Sequence, residues 1–552
     1  MQKEKNNYLN INFICLKKIQ ALVEKDNLDA SLDLLNNQIV IDGKNPIYHN
    51  VKGFILLKKK IFKKAIIEFT EAISHRDDFV EAHSNLGIAY KNISQFNEAL
   101  IHFEKALIYN PNYIEAKLNA GILNLKFKNF KKAIENFKSL IKNDNKKSIY
   151  LDYLAETEYQ SNNVQDAISY LIKSLELKKT PEKLNQLGIY YLSIGENQAS
   201  IKSFKEAIDL KFNFLTAFYN LITFTDYKLN QNDLNTLKSL NYSNLDNNDS
   251  IFFNFIFYKH YELEKKYSEA FKFLLEGNKL IAKNFPFNSI EHIQNLKKVI
   301  NTFEICKKIP SLKPKNKKII FIVGMPRCGS SMVEKIISSN KNVYALGETS
   351  LINKLIRPFI DETNKTKLTE KQITNSLLKI KLDYYKKIEE YSKNLIFIDK
   401  SLSNYLYVGL LTKIFPESKI ININRDFKAS FFSCFKSKFA NEKNLNWTFN
   451  PDSIIDYYKN YIDIIKLWNS MQFKNFINID YEKIIAHQES EFERIFNWID
   501  IKFEKKFLNL KDSRKITKTA SMSQVNKNIY SNANEEWKKY EEELNPFFKN
   551  LA

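Results

Sequence analysis

Apolar and small residues in the first half of the chain recur with a fixed period. The blocks EAHSNLGIAYKNISQFNEALIHFEKALIYNPNY and EAKLNAGILNLKFKNFKKAIENFKSLIKNDNKK superpose without a gap, 34 residues apart: Ala82 on Ala116, Gly87 on Gly121, Phe96 on Phe130, Ala99 on Ala133 and Phe103 on Phe137. One period earlier stand Gly53, Phe62, Ala65 and Phe69; later copies bring Ala155, Val164 and Ala167, then Gly188, Phe204 and Ala207. Within each period the spacing predicts two helices joined by a turn. Small residues mark where the helices approach closely, and aromatics fill the gaps between neighbouring pairs. The clearest copies run from about 45 to 225, with weaker helical pairs expected at 8–40 and 250–283.

After the Lys/Pro-rich stretch SLKPKNKK the pattern changes. KKIIFIVGMPRCGSSMVEKIISSN reads as a buried strand from Ile319 to Val323, a tight glycine turn, and an amphipathic helix from about Ser331. Strands and helices alternate onward to Arg425, which predicts a mainly parallel sheet flanked by helices, with functional groups at the carboxyl ends of the strands. The expected organisation is an all-α repeat solenoid over 1–290, a linker over 291–318, and an α/β domain over 319–552.

Composition adds less than the pattern does. With 44% hydrophobic and 27% charged residues the chain is ordinary globular material, and no apolar run reaches the roughly 18 residues that span a bilayer. Together with the absence of a cleavable leader pattern at the start, this predicts a cytoplasmic protein without a membrane segment. Four scattered cysteines, with no C-x-x-C pair, indicate neither a disulfide framework nor a zinc site. The formal net charge is +21, yet only six of 84 basic residues are arginine (Arg76, Arg327, Arg357, Arg425, Arg494 and Arg514). An excess of Lys, Asn and Ile is the pattern of AT-rich coding bias, so the charge reads as a solvated lysine surface and calls for no specific nucleic-acid partner. Where lysine is the default, an arginine marks a place that needs a planar, bidentate fork.

The repeated Gly, Ala and Phe positions resemble the tetratricopeptide repeat. That resemblance implies a helical module that commonly binds proteins or peptides. The turn after Val323 presents backbone N–H groups and the positive end of a helix to an anion. Gly324, Gly329 and Ser331 fit the nucleoside-triphosphate P-loop spacing, but Ser330 stands where its lysine should be. The loop supplies Arg327 instead, and here the chain resembles sulfotransferases that use 3′-phosphoadenosine 5′-phosphosulfate. It is similar above all to bacterial proteins that join tetratricopeptide repeats to a sulfotransferase domain, relatives of the tyrosylprotein sulfotransferases.

The resemblance implies that Arg327, Cys328, Gly329, Ser330 and Ser331 form the phosphosulfate loop. It makes Glu348, in ALGETSLI, the base that takes the acceptor's proton, although the family often has two adjacent acids here and this chain has Glu348 followed by Thr349. A neighbouring base and a plain helix cap stay open at that position. The single histidine of this half, His487, offers no obvious alternative base. Lys400, in a D-K-S context after a strand, would neutralise the leaving oxygen. Arg425 and Ser433, eight residues apart, would clasp the 3′-phosphate. Tyr481, Ser521 and Lys527 match further nucleotide positions, with Tyr481 equally readable as core filler.

The implied function is sulfuryl transfer from 3′-phosphoadenosine 5′-phosphosulfate to a hydroxyl acceptor, a protein tyrosine or a glycan, without a metal. Two other readings stay open: a repeat scaffold with an inactive nucleotide-binding domain, and a P-loop kinase or NTPase.

Overall fold

Small residues and aromatics meet across the helical hairpins of the repeat region. The computed structural model describes residues 14–144, 147–439, 443–509 and 534–549. Successive hairpins pair Pro46–Lys58 with Phe62–His75, Val80–Asn92 with Phe96–Tyr109, Ile114–Lys126 with Phe130–Asn143, and Ser148–Gln160 with Val164–Leu177. A Cβ added at Gly87 would stand 2.7 Å from the Phe103 ring, and one at Gly121 would stand 2.7 Å from Phe137. Only glycine leaves room for the aromatic at that spacing. Ala65, Ala99, Ala133 and Ala167 are fully buried where the two helices touch. The turn between helices takes a left-handed residue at Lys60, Ser94, Lys128 and Asn162, again one period apart.

The chain divides into two compact units, Met1–Tyr190 and Tyr191–Ala552. The packing boundary therefore falls far ahead of the change in sequence character near residue 310. The hairpin of Asn247–Leu263 and Tyr267–Asn284 packs with the sheet region: the Asn278 amide donates to the Phe435 carbonyl at 2.8 Å, and the Phe271 and Phe435 rings lie 6.1 Å apart. The stretch expected as a linker contains most of helix α1 (Ser289–Lys307). Its apolar residues Leu296, Val299 and Phe303 fall at helical spacing and are buried, with Phe303 edge-on to Trp468 at 5.1 Å. An apolar stripe of that kind needs a partner, and the sheet region supplies it.

Five strands form one sheet: β1 (Lys318–Gly324), β2 (Val343–Gly347), β3 (Ile396–Asp399), β4 (Lys419–Asn424) and β5 (Phe476–Asp480). Their order is β2-β3-β1-β4-β5, and every neighbouring pair is parallel. Helices cover both faces, which is why β1 reads as an unbroken apolar run with Ile319 to Val323 at 0% exposure. The expected fold class, a helical repeat region followed by an α/β domain with a parallel sheet, is the one observed. After β1 the chain builds one side of the sheet with β2 and β3, then crosses to the other with β4 and β5. Such a reversal opens a crevice beyond the carboxyl ends of the strands, next to β1. Among the described residues no helix is long and apolar enough to cross a membrane.

Two histidines meet inside the repeats. His83 Nε2 lies 2.8 Å from the Asp77 carbonyl, and His83 Nδ1 lies 3.2 Å from Nδ1 of His102. A neutral His83 that donates through Nε2 must accept at Nδ1, so His102 is the donor of the pair. Burial, and after it repulsion from His83 when that ring is protonated and from Lys105, pushes the His102 ring down to about 4, and burial also lowers His83. The unfolded chain binds a proton on such a ring near pH 6.5, the folded chain only near 4, so stability is lost as pH falls through that window. Acidification from about pH 7.5 to about pH 5 is expected to lower the urea midpoint of the transition that unfolds the repeats, and His102→Gln to flatten that slope. Equal slopes in parent and variant would contradict the assignment.

Candidate active site

Every strand of the sheet delivers a candidate site residue at its carboxyl end. β1 runs into the loop 325–329 and helix α2 (Ser330–Ile337); Glu348 follows β2, Lys400 follows β3, Arg425 follows β4 and Tyr481 follows β5. Residues scattered over more than 150 positions of sequence therefore share one edge of the sheet.

The loop after β1 is held open by backbone conformation. Gly324 has φ +144°, Arg327 +67° and Gly329 +95°. Gly329 stands at the start of α2, and a Cβ there would lie 2.4 Å from Cδ2 of Tyr481. This position thus requires glycine twice, for its left-handed φ and for the ring that covers it. Arg327 Nε donates to Ser433 Oγ at 3.1 Å, on helix α4 (Phe427–Phe435, with α3 spanning Glu370–Glu389). Arg425 Nη1 donates to the Arg327 carbonyl at 2.5 Å and its Nε to Asn534 Oδ1 at 2.8 Å, while the guanidinium lies 4.7 Å over the Tyr481 ring. Burial, assisted by the like charge of Arg425, holds the Arg327 guanidinium below its ordinary pKa. Two guanidinium groups converging beside a helix N-terminus favour an anion with several oxygens. Burial pushes the Cys328 thiol up to about 11, so this loop residue is a neutral, buried side chain.

A second cluster adjoins the loop. Lys400 is 1% exposed, and its Nζ lies 3.3 Å from Glu334 Oε2, 3.3 Å from Glu348 Oε1 and 3.1 Å from Ser331 Oγ. Burial alone lowers the pKa of this ammonium, but the two carboxylates outweigh burial and hold it above its ordinary value. The neighbouring Asp399 is fully buried. It accepts from the Ser401 N–H at 3.0 Å, the Tyr384 hydroxyl of α3 at 2.9 Å and the Thr349 hydroxyl at 3.2 Å. Ser401 Oγ in turn accepts from the Thr349 and Ser350 N–H groups, each at 3.2 Å. These bonds fasten the segment after β2 to the end of β3, and so bring Glu348 beside Lys400.

Residues 320–505 match the model of the Sulfotransferase family, and residues 80–113 and 184–214 match tetratricopeptide repeat models. The chain carries a sulfotransferase-family domain behind tetratricopeptide repeats. An uncharacterized protein of Aquifex aeolicus (strain VF5) is 24% identical over 369 residues, covering 64% of this chain. The chain spans about half, 48%, of that relative's length. A Caenorhabditis briggsae protein named "Putative protein-tyrosine sulfotransferase" is 22% identical over 196 residues, 35% of this chain and 69% of the relative. Among solved structures, MamA (residues 41 to end) from Desulfovibrio magneticus RS-1 is 18% identical over 31% of this chain and 96% of its own, with a TM-score of 0.30.

Within the sulfotransferase-family domain, the structure joins Arg327, Ser433, Arg425 and Tyr481 in one cluster and Ser331, Lys400 and Glu348 in another; Ser330 opens α2 and is buried between them in sequence. Ser521 and Lys527 lie outside the described residues. Sequence reasoning missed Glu334 and Asn534. Glu334 sits one helical turn after Ser331, on the same face of α2, and that spacing is a readable signal. Asn534 lies 109 residues from the arginine it touches, and nothing local announces it. Glu482 Oε1 completes this corner, accepting from the Asn534 amide at 2.8 Å and the Asp426 N–H at 3.0 Å.

The Gly329 contact can be checked directly. Gly329→Ala forces a side chain into a left-handed position against a ring and is expected to destabilise the domain by about 1–3 kcal/mol. Adding Tyr481→Ala should recover the clash but not the backbone strain, giving a non-additive cycle in urea unfolding. Strict additivity would mean that the ring does not close on this glycine.

Proposed function

We propose that the sulfotransferase-family domain moves a sulfuryl group from 3′-phosphoadenosine 5′-phosphosulfate to a hydroxyl acceptor, a peptidyl tyrosine or a glycan. The repeats act as its protein-interaction module. One observation carries the reading: a phosphate-type loop that lacks the P-loop lysine opens onto a buried lysine beside an exposed carboxylate, with two arginines at its other end. The relative named for protein-tyrosine sulfotransfer supports a peptide acceptor.

The residues present fit this donor. The start of α2, Arg327, Ser330 and Ser331 would hold its phosphosulfate, and Arg425 with Ser433 its 3′-phosphate; the donor, when bound, supplies an activated sulfuryl group on a phosphate leaving group. Glu348 takes the proton of the acceptor hydroxyl. Lys400 faces the negative charge that gathers on the departing oxygen, and Ser331 orients the ammonium. Sulfuryl transfer, like phosphoryl transfer, needs little covalent help from the protein, so catalysis here is positioning and charge stabilisation.

Calorimetry with 3′-phosphoadenosine 5′-phosphate tests the reading. The parent is expected to bind with micromolar affinity, indifferent to ATP and Mg²⁺, with Arg327→Ala and Arg425→Ala each weakening binding by about tenfold or more. Glu348→Gln should keep nucleotide affinity while lowering kcat by about 10²–10⁴-fold. Preference for ATP, or no nucleotide binding by the parent, would overturn the proposal.

A further inference from the structure

The ammonium of Lys400 has three N–H donors, and three partners surround it: Ser331 Oγ at 3.1 Å, Glu334 Oε2 at 3.3 Å and Glu348 Oε1 at 3.3 Å. Those partners come from α2 and from the segment after β2. On its own strand the neighbouring carboxylate, Asp399, is turned to Tyr384, Thr349 and Ser401 and does not share the ammonium.

The two carboxylates differ in kind. The Glu348 side chain is 58% exposed and lies in the bend directly after β2, whereas the Glu334 side chain is 14% exposed and is fixed on a helix. Glu334 Oε1 is buried, and burial pushes this carboxyl above its ordinary pKa, against the pull of Lys400 and of the Gly347 backbone N–H. A buried carboxylate is costly to keep unless an opposite charge and hydrogen bonds offset the burial, and here the opposite charge is Lys400. Glutamine would fill the same volume and avoid the burial of a charge.

We propose that Glu334 is a positioning residue, the permanent counter-ion of Lys400, which keeps that ammonium protonated and aimed at the loop while Glu348 is the partner that releases it. This rests on the sulfotransferase reading and deepens it. Once Glu348 has bound the acceptor's proton it is neutral, and its pull on Lys400 is gone. The acceptor oxygen forms its bond to sulfur, the bond from sulfur to the phosphate oxygen breaks, and the electron pair of that bond stays on the phosphate. Lys400 must be cationic at that moment. With Glu348 neutralised, Glu334 is the remaining carboxylate of the cluster that holds it so. Burial lowers the ammonium's pKa, so without Glu334 the lysine would lose its proton more readily.

The test compares the full-length parent with Glu334→Gln and Glu334→Asp. Calorimetry with 3′-phosphoadenosine 5′-phosphate at about pH 9, in buffers of different ionisation enthalpy, counts protons taken up on binding. The parent should take up none at the lysine, Glu334→Gln a measurable fraction, and Glu334→Asp an intermediate amount. In turnover, the alkaline limb of kcat should move down by about 1–3 pH units in Glu334→Gln, because a removed opposite charge shifts a neighbour by that much, with the shift smaller in Glu334→Asp. Equal proton uptake and an unmoved limb, with only a lower melting temperature, would assign Glu334 a structural role and overturn the inference. If Glu334→Gln does not fold, an Asp variant with parental proton uptake and pH profile overturns it equally. Absence of nucleotide binding in the parent would instead sink the sulfotransferase reading, and this inference with it.

Discussion

A buried ammonium at the carboxyl edge of the sheet is the feature around which the rest of the α/β domain is arranged. Lys400 is almost wholly removed from water, and an ion in that setting persists only where opposite charge and hydrogen bonds replace its hydration. Glu334 must therefore come from the helix after β1, Glu348 from the bend after β2, and the hydroxyl of Ser331 from the start of the same helix. Satisfying the lysine fixes the spacing of three chain segments. The Asp399 network performs the same task one residue earlier, tying the end of β3 to the segment that bears Glu348.

The sheet makes this assembly feasible. Parallel strands point all their carboxyl ends one way, so loops from β1, β2, β3, β4 and β5 meet on one edge. The chain reverses direction beside β1, which places the glycine turn between the segments that follow β3 and β4. One cluster at this edge holds the lysine and carboxylates; the other holds Arg327 and Arg425, propped by Ser433, Tyr481 and Asn534. A double-ended anion with one reacting group fits such a division of charge.

Much of this was legible in the residues, and the reasons differ by element. The repeats announced themselves because each period must place a small residue opposite an aromatic, as Gly87 meets Phe103. β1 was readable because burial on both faces leaves no polar position from Ile319 to Val323. Arg327 and Arg425 stood out against a lysine-rich background. The packing boundary near Tyr190 was not legible, since a hairpin that packs on a sheet and one that packs on another repeat bury the same kinds of side chain. Helix α1 was hidden behind the Lys/Pro-rich stretch that follows it, although Leu296, Val299 and Phe303 already carried helical spacing. Glu334 and Asn534 were missed because their partners, Lys400 and Arg425, are distant in sequence and only the tertiary fold joins them.

The most direct test of the central claim, that this lysine-centred edge is a site for a phosphoadenosine anion, is a crystal structure of the protein grown with 3′-phosphoadenosine 5′-phosphate. The account predicts the 5′-phosphate at the start of α2, within hydrogen-bond reach of Lys400 and Ser331, with the 3′-phosphate on Arg425 and Ser433 and Glu334 still paired to Lys400. A nucleotide bound elsewhere, or one whose phosphates leave Lys400 and Arg425 untouched, would contradict it.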